Sequence, residues 1–371
     1  MIRKFILIVV MLVLILAAGL VTALFIFRRP TPLEFQQATA SEPVQFPRDE
    51  AAHFDAQAEW WYYTGLLDTE EGQEYGFELT FFKAYLPPEV LIGGVLPLRI
   101  SNNPLYFAHF AISDQAAEQH VFVEQVNLPE IWDAGAREDR FEVWNGDWMA
   151  KGGLDGYQLR ASGGPYLLRL ALDSANPPML HGPEGAGVVE MGQAGRSYYY
   201  SEPDLTGAGI LTVDGKRQTV YATAWMDHQW GSWQAMGGFA GWDWFSLRLD
   251  DGGRVMLFDF RDEDGSIQSG SAGTWIAADG TAEHLTRDEY TIEALEFWTS
   301  PQTGGTYPVK WQVTVPGQGL DATVEATFPA QEMPIELGPI YWEGTVTVSG
   351  TADGTGFVEM TGYAGQEHGA E

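Results

Sequence analysis

The sequence contains no cysteine and few basic residues. Without cysteine the chain has no disulfide, no thiolate nucleophile and no thiolate metal site. Its 20 Lys and Arg stand against 51 Asp and Glu, a formal net charge of −31. Phosphate backbones and anionic headgroups repel such a surface, so we expect no nucleic-acid partner. Solubility is the ordinary explanation for this acidity.

Several catalytic signatures are also missing. No Gly-x-Ser-x-Gly elbow occurs, because residues 269–273 (SGSAG) lack its first glycine, which disfavours an α/β-hydrolase. No Walker-type or dinucleotide-binding glycine pattern is present. No local pair has metal-ligand spacing, so we expect no metal site. We assign no role to four isolated histidines in polar loops: His53, His181, His284 and His368.

What the chain has in abundance is glycine (43), proline (20) and aromatic residues (13%). Helical periodicity is weak, and short apolar runs alternate with turn residues. Residues 59–67 and 75–82 read as two strands around a turn. Residues 286–297 fit either one short helix or a strand. This mixture predicts an all-β protein.

The first residues predict a membrane anchor. Residues 5–27 form an uncharged apolar run of bilayer length between two basic flanks, Arg3-Lys4 and Arg28-Arg29. We interpret residues 1–29 as an uncleaved transmembrane signal anchor and residues 30–45 as a linker. The expected location is a membrane-tethered body exported to the periplasm or the extracellular side.

The second half of the chain repeats the opening of the first half. Residues 242–250 align without a gap on residues 60–68, and residues 255–260 then align on residues 77–82. A repeat of this period predicts two copies of one domain, each with enough strands to close an antiparallel barrel. We place the copies at residues 46–215 and 216–371. In this alignment Asp243 falls where the first copy has Trp61.

Two tryptophan-rich segments carry the candidate chemistry, residues 224–231 (AWMDHQWG) and 241–245 (GWDWF). Strand side chains alternate between faces, so Trp242 and Trp244 share one face and Asp243 takes the other. If Asp243 points into a barrel, its apolar surroundings should raise its pKa and suit it to general-acid catalysis. If it points outward, both tryptophans are ordinary core residues.

These segments resemble the carotenoid 1,2-hydratase (hydroxyneurosporene synthase) family, which includes lipocalin-like secreted proteins. The resemblance spans about residues 46–365 and adds four further segments: 59–62 (EWWY), 79–82 (LTFF), 107–114 (FAHFAISD) and 341–344 (YWEG). It implies two tandem lipocalin-like antiparallel β-barrels and an apolar isoprenoid-like ligand. In the hydratases water adds across a terminal C=C bond without a redox cofactor.

The resemblance also implies roles for individual residues. Asp243 would protonate the alkene, the rings of Trp230 and Trp242 would stabilise the carbocation, and His228 would position or deprotonate the water. Trp242, Trp225, Trp61 and His109 are the expected ligand-binding residues. The chain departs from the family pattern at Gly241, where the hydratases have an aromatic residue.

Alternative interpretations remain open at this point. The same barrels could form a membrane-anchored carrier for a lipophilic ligand without catalysis, or a hydrolase with a non-classical site. His109 fits a hydrogen-bonded core histidine, and Glu59 fits a buried, salt-bridged acid. Asp227 fits a structural carboxylate that holds the tautomer of His228.

Overall fold

The computed structural model describes residues 33–85, 91–92, 96–97, 103–127, 133–174, 176–192, 195–232, 239–335 and 338–364. The predicted anchor over residues 1–29 lies outside these ranges. Among the residues described, no helix has both the length and the apolarity needed to span a bilayer.

The described chain is built from antiparallel strands joined by tight turns and single-turn 3-10 helices. Its first half contains β1 (Ala58–Thr69), β2 (Glu74–Ala84), β3 (Leu91–Ile92), β4 (Leu96–Pro97), β5 (Leu105–Asp114), β6 (Gln119–Asn127), β7 (Ala134–Ala136), β8 (Phe141–Asn145), β9 (Trp148–Gly153), β10 (Gly156–Gly163), β11 (Tyr166–Ser174), β12 (Met179–Leu180), β13 (Val188–Glu190), β14 (Arg196–Val213) and β15 (Lys216–Gly231). The second half contains β16 (Gly241–Leu249), β17 (Arg254–Arg261), β18 (Ala272–Ile276), β19 (Ala282–Thr286), β20 (Thr291–Thr299), β21 (Thr306–Val315), β22 (Leu320–Ala326), β23 (Glu332–Met333), β24 (Tyr341–Gly350) and β25 (Gly354–Thr361).

Two large sheets result, and each curls towards a barrel. The first runs β6-β5-β2-β1-β15-β14-β11-β10-β9-β8-β7. Its two ends approach each other, because Asn145 on β8 donates to the backbone of Gln125 on β6 at 3.3 Å and accepts from Asn127. The second runs β19-β18-β17-β16-β25-β24-β22-β21-β20. This all-β architecture of two near-barrel antiparallel sheets agrees with the lipocalin-like expectation.

The repeat inferred from the sequence is present in the sheet topology. In each sheet the first long strand pairs with its hairpin partner on one side and with the last strand of the sheet on the other. Thus β1 lies between β2 and β15, and β16 lies between β17 and β25. Trp60 pairs with Phe82, and its counterpart Trp242 pairs with Phe260.

The change from one sheet to the other falls later than the sequence indicated. β15 pairs with β14 and β1 in the first sheet, so that sheet extends to Gly231 and not to residue 215. The sheet continues past residue 215 because Asp214-Gly215 is the turn of a hairpin. Strands joined by a two-residue turn pair with each other and belong to one sheet. The ambiguous segment 286–297 is a 3-10 turn at Arg287–Glu289 followed by β20.

A third apolar layer lies between the two sheets. It is formed by side chains on the outer faces of β1, β14, β15, β16 and β17, among them Tyr62, Tyr199, Trp225, Trp244 and Phe258. Trp244 on β16 donates its indole N–H to the Tyr199 hydroxyl on β14 at 3.1 Å. Large rings bury much surface, and the hydrogen bonds between their polar ends set their orientation. This layer fixes how the sheets face each other.

Candidate functional site

A cavity of about 400 Å³ lies between the two sheets. Its walls are mostly aromatic, with Trp60, Tyr62, Phe82, Phe107, Trp242, Trp244, Phe258, Phe260 and Tyr341 among the lining residues. Strand alternation places them there. On β1 Trp61 and Tyr63 belong to the interior of the first sheet, whereas Trp60 and Tyr62 face the second. The cavity is large enough for part of an apolar chain and has few polar groups.

The first of these polar groups is the carboxyl of Asp227 on β15, which is 3% exposed. Its Oδ1 accepts a hydrogen bond from the Ser201 hydroxyl and another from Trp225 Nε1 at 2.9 Å. Burial raises the pKa of Asp227 to about 7, although these hydrogen bonds favour the ionised form. Asp227 is therefore poised to exchange a proton near neutral pH.

The second polar group is the carboxyl of Glu359 on β25, in the opposite wall. Its Oε1 accepts a hydrogen bond from Trp242 Nε1 at 2.7 Å. Burial, helped by the charge of Asp227, raises the pKa of Glu359 to about 7, although the Trp242 hydrogen bond favours the ionised form. Two carboxyls that each receive an indole N–H thus enter the cavity from opposite sheets.

Two more buried acids lie beside this pair. The Tyr62 hydroxyl donates to Glu343, and the Thr80 hydroxyl donates to Glu78. Burial raises the pKa of Glu78 to about 8, and burial together with the charges of Glu78 and Glu359 raises that of Glu343 well above its usual value. Glu78 belongs to the first sheet and Glu343 to the second, so an acid cluster spans the interface.

Of the four expected ligand-binding residues, Trp242 and His109 line the cavity. His109 is 2% exposed and lies 3.7 Å from Glu124, and burial lowers its pKa, so the ring is neutral. Trp225 is buried one layer behind, where it donates to Asp227. Trp61 is inside the first sheet, with its ring stacked on His228 at 5.2 Å.

His228 and Trp230 also lie inside the first sheet and not in the cavity. His228 Nε2 is 2.8 Å from Glu59 Oε1, and its Nδ1 is 3.2 Å from the Tyr200 hydroxyl. Burial lowers the pKa of His228 to about 4. Asp227 does not hold the tautomer of His228, because neighbours on a strand face opposite sides. Glu59 holds the tautomer of His228 instead. It is a buried, salt-bridged acid, which is one of the interpretations that the sequence left open.

The group His53, Glu59 and His228 has its ligand atoms within 4.8 Å of one another, which a metal ion would require. The Glu59 carboxylate, however, already receives four donors: Lys83 Nζ, the His53 backbone N–H, His53 Nδ1 and His228 Nε2, at 2.8 to 2.9 Å. Burial opposes its ionisation, but Lys83 and His53 hold its pKa well below the usual value. The buried Lys83 ammonium already neutralises this carboxylate, and both imidazoles direct their N–H groups at it, so these residues do not fit a metal ion.

Asp243 points into the interior of the second sheet, which is the inward direction that its proposed role as a general acid needed. Its carboxylate accepts from the Tyr363 hydroxyl at 3.1 Å and lies 3.3 Å from the Arg261 guanidinium. Burial raises its pKa to about 6 despite Arg261. Trp242 and Trp244 face the cavity on the other side of the strand. The structure therefore brings Trp242 and His109 together but separates Asp243 from His228 and Trp230.

The residues that the sequence did not single out are Glu359 and His181. In the structure Glu359 pairs with Trp244 as Asp227 pairs with Tyr62, so the two acids are equivalent by strand pairing. His181 is 1% exposed and lies between the sheets, although the sequence suggested a polar loop.

The chain matches known proteins over nearly its whole length. The AttH-like family model matches residues 37–363. A crystal structure from Nitrosomonas europaea, described as an AttH protein, has a TM-score of 0.78 and 30% identity, covering 89% of this chain and 100% of that chain. Kievitone hydratase from Nectria haematococca has a TM-score of 0.67 and 16% identity, covering 90% and 97%.

A third structure, CghA with Sch210972, has a TM-score of 0.50 and 11% identity, covering 90% of this chain and 98% of that chain. No curated protein sequence matches the chain. The two more distant likenesses establish the fold alone. The family match and the Nitrosomonas structure establish more: the chain belongs to the AttH-like family.

Proposed function

We propose that the protein adds water to a C=C bond of an apolar, isoprenoid-like molecule held in the cavity between the two sheets. The observation that carries this proposal is the pair Asp227 and Glu359, two buried carboxyls on opposite walls of one aromatic cavity. In this proposal Asp227 and Glu359 replace Asp243 and His228 as the acid and base. A carotenoid is the substrate that the sequence resemblance favours.

The chemistry requires one acid and one base. With both carboxyl pKa values about 7, the pair carries close to one proton at neutral pH. Asp227 donates its proton to one alkene carbon, and a carbocation forms at the other. Water attacks that carbon, and Glu359 takes the proton that the water loses. The substrate has then gained one water, and one proton returns from Glu359 to Asp227 to complete the cycle.

The walls suit a cationic intermediate. Trp60, Trp242, Trp244 and Tyr341 present rings to the cavity, and an aromatic face attracts a desolvated cation by about 2 kcal/mol. His109 is neutral, and the Lys83 ammonium, which also lines the cavity, is paired with Glu59. After the proton transfer both Asp227 and Glu359 are ionised, and their negative charges also favour a cation in the cavity.

The test incubates purified full-length protein with acyclic isoprenoids such as lycopene or neurosporene and measures mass. We expect a product heavier by one water, formed at least about 10²-fold more slowly by Asp227→Asn. Binding without a mass gain, unchanged in Asp227→Asn, would favour the second candidate function, a carrier for a lipophilic ligand. The apolar cavity is the observation that supports a carrier.

We also propose that residues 5–27 tether the protein to a membrane with its body exported. The support is the uncharged apolar run alone. Cell fractionation followed by protease treatment of intact and opened cells tests it, because an exported body is cleaved as soon as the outer barrier is opened.

A further inference from the structure

A buried hydrogen-bond chain connects the second sheet to Asp227. The Thr274 hydroxyl on β18 lies 2.8 Å from His181 Nδ1, and His181 Nε2 lies 2.6 Å from the Ser201 hydroxyl on β14. Ser201 in turn donates to Oδ1 of Asp227. All four side chains are buried. This series of hydrogen bonds therefore crosses the interface between the sheets without reaching water.

The direction of every proton in this chain follows from the partners. The ionised carboxylate of Asp227 has no proton to donate, so its Oδ1 accepts from both Trp225 Nε1 and the Ser201 hydroxyl. The Ser201 oxygen then accepts from His181 Nε2–H. His181 is neutral, because burial lowers its pKa to about 3, so its Nδ1 carries no proton and accepts from Thr274.

Ser201 and Trp225 both donate to Oδ1, and the Tyr199 hydroxyl is a further hydrogen-bond partner of the carboxyl. We propose that His181 is a positioning residue: it holds the Ser201 proton on Oδ1 of Asp227 and so favours the ionised form of this carboxyl. This inference rests on the proposed function for its catalytic meaning. Its structural content, the control of the Asp227 proton by His181, holds for either candidate function.

The hydrogen-bond series joins residues of both sheets. Thr274 belongs to the second sheet, whereas Ser201 and Asp227 belong to the first. The tautomer of His181 is therefore set only when the sheets are docked. The other titratable groups near these residues are Tyr199 and Glu359 around Asp227, and His284 near His181.

The test measures the titration of the Asp227 carboxyl by carbon-13 NMR in full-length protein, with Asp227→Asn identifying its resonance. Ser201→Ala removes a donor that favours the ionised form, so the midpoint should rise by about one unit. His181→Asn, whose amide nitrogen overlays Nδ1 and does not reach Ser201, should raise it by a smaller amount. His181→Gln is the matched control, because its amide nitrogen overlays Nε2 and still donates to Ser201, so the midpoint should stay.

Thr274→Val is the second variant, in case His181→Asn fails to fold. It removes the hydrogen bond that Thr274 donates to His181 Nδ1, so the tautomer of His181 is no longer fixed. The midpoint of the Asp227 titration should therefore also rise. A role in joining the sheets alone would lower the unfolding temperature of these variants and leave the Asp227 titration unmoved. The inference would be overturned if the Asp227 midpoint stays unchanged in Ser201→Ala and also in a folded variant of the pair His181→Asn and Thr274→Val. The titration needs no substrate, so it decides this point even if the protein catalyses no hydration.

Discussion

Asp227 and Glu359 occupy equivalent positions in the two sheets. Asp227 on β15 pairs with Tyr62 on β1, and Glu359 on β25 pairs with Trp244 on β16. Tyr62 and Trp244 are themselves equivalent in the sequence repeat. A carboxyl at one repeated position on each copy thus reaches the same cavity from both sides, so duplication of one domain provides both members of an acid–base pair.

The first prediction concerns activity and pH. General-acid catalysis is lost above the pKa of the acid, and general-base catalysis is lost below that of the base. We expect a narrow bell-shaped profile of kcat/KM centred near pH 7, from the values of about 7 for both groups. Asp227→Asn and Glu359→Gln should each lower the rate by about 10²- to 10⁴-fold.

Asp243→Asn is the matched control for this prediction, because Asp243 is also a buried carboxyl but faces Arg261 and Tyr363 inside the second sheet. It should keep its rate within a few-fold, measured by product formation at pH 7. A profile that Asp227→Asn leaves unchanged, with activity lost in Asp243→Asn, would return the acid to Asp243.

The second prediction concerns stability and pH. The folded protein raises the pKa of Glu78 from 4.5 to about 8, so the neutral form is favoured on folding. The resulting stabilisation is complete below about pH 4.5 and is lost as pH rises through about 8. Between pH 6 and 9 the free energy of unfolding should fall by on the order of 2 kcal/mol through this group.

Glu78→Gln should flatten that fall, measured by urea unfolding at both pH values. Glu74→Gln on the same strand is the control, because Glu74 is exposed. Equal slopes for the wild type, Glu78→Gln and Glu74→Gln would show that Glu78 is ionised in the folded protein at pH 6.

Much of the fold could be predicted from the sequence because its signals are local. Alternation, turn residues and the repeat at residues 60–68 and 242–250 all survive in the sheets. The first sheet extends past residue 215 to Gly231, because β14 and β15 form a hairpin across Asp214-Gly215. The sequence left the direction of Asp243 open, because both faces of β16 are largely buried and apolarity does not distinguish them.

The site was harder to predict because it lies between the sheets and not inside either one. The motif residues His228, Trp230 and Asp243 alternate away from that interface, whereas Asp227 faces it. Glu359 reaches the cavity only because β25 returns beside β16, a pairing across more than a hundred residues. No local pattern reports such a contact, and the sequence repeat, which aligns residues 60–68 and 77–82 with the second half, does not include Asp227.

The third prediction concerns the buried ion pair of Lys83 and Glu59, whose side chains are both 0% exposed and 2.8 Å apart. Lys83→Met leaves a buried carboxylate without its ammonium and should cost about 3–5 kcal/mol of unfolding free energy. Glu59→Gln combined with Lys83→Met should cost less than Lys83→Met alone. Lys151→Met, at an exposed position, is the control.

Urea unfolding measures these costs. If Lys83→Met is as stable as Lys151→Met, then Glu59 is neutral in the folded protein, and the four-donor description of its carboxylate is incorrect. Added Zn²⁺ should leave the unfolding temperature of the wild type unchanged, because Lys83 already neutralises Glu59.

The most direct measurement is the position of a bound ligand. A crystal of the full-length protein soaked with a brominated acyclic isoprenoid would show the bromine by anomalous scattering. We predict a peak between Trp60 and Trp242, within reach of Asp227 and Glu359. A peak inside the first sheet beside Trp230, or inside the second sheet beside Asp243, would contradict the assignment of the site to the cavity between the sheets.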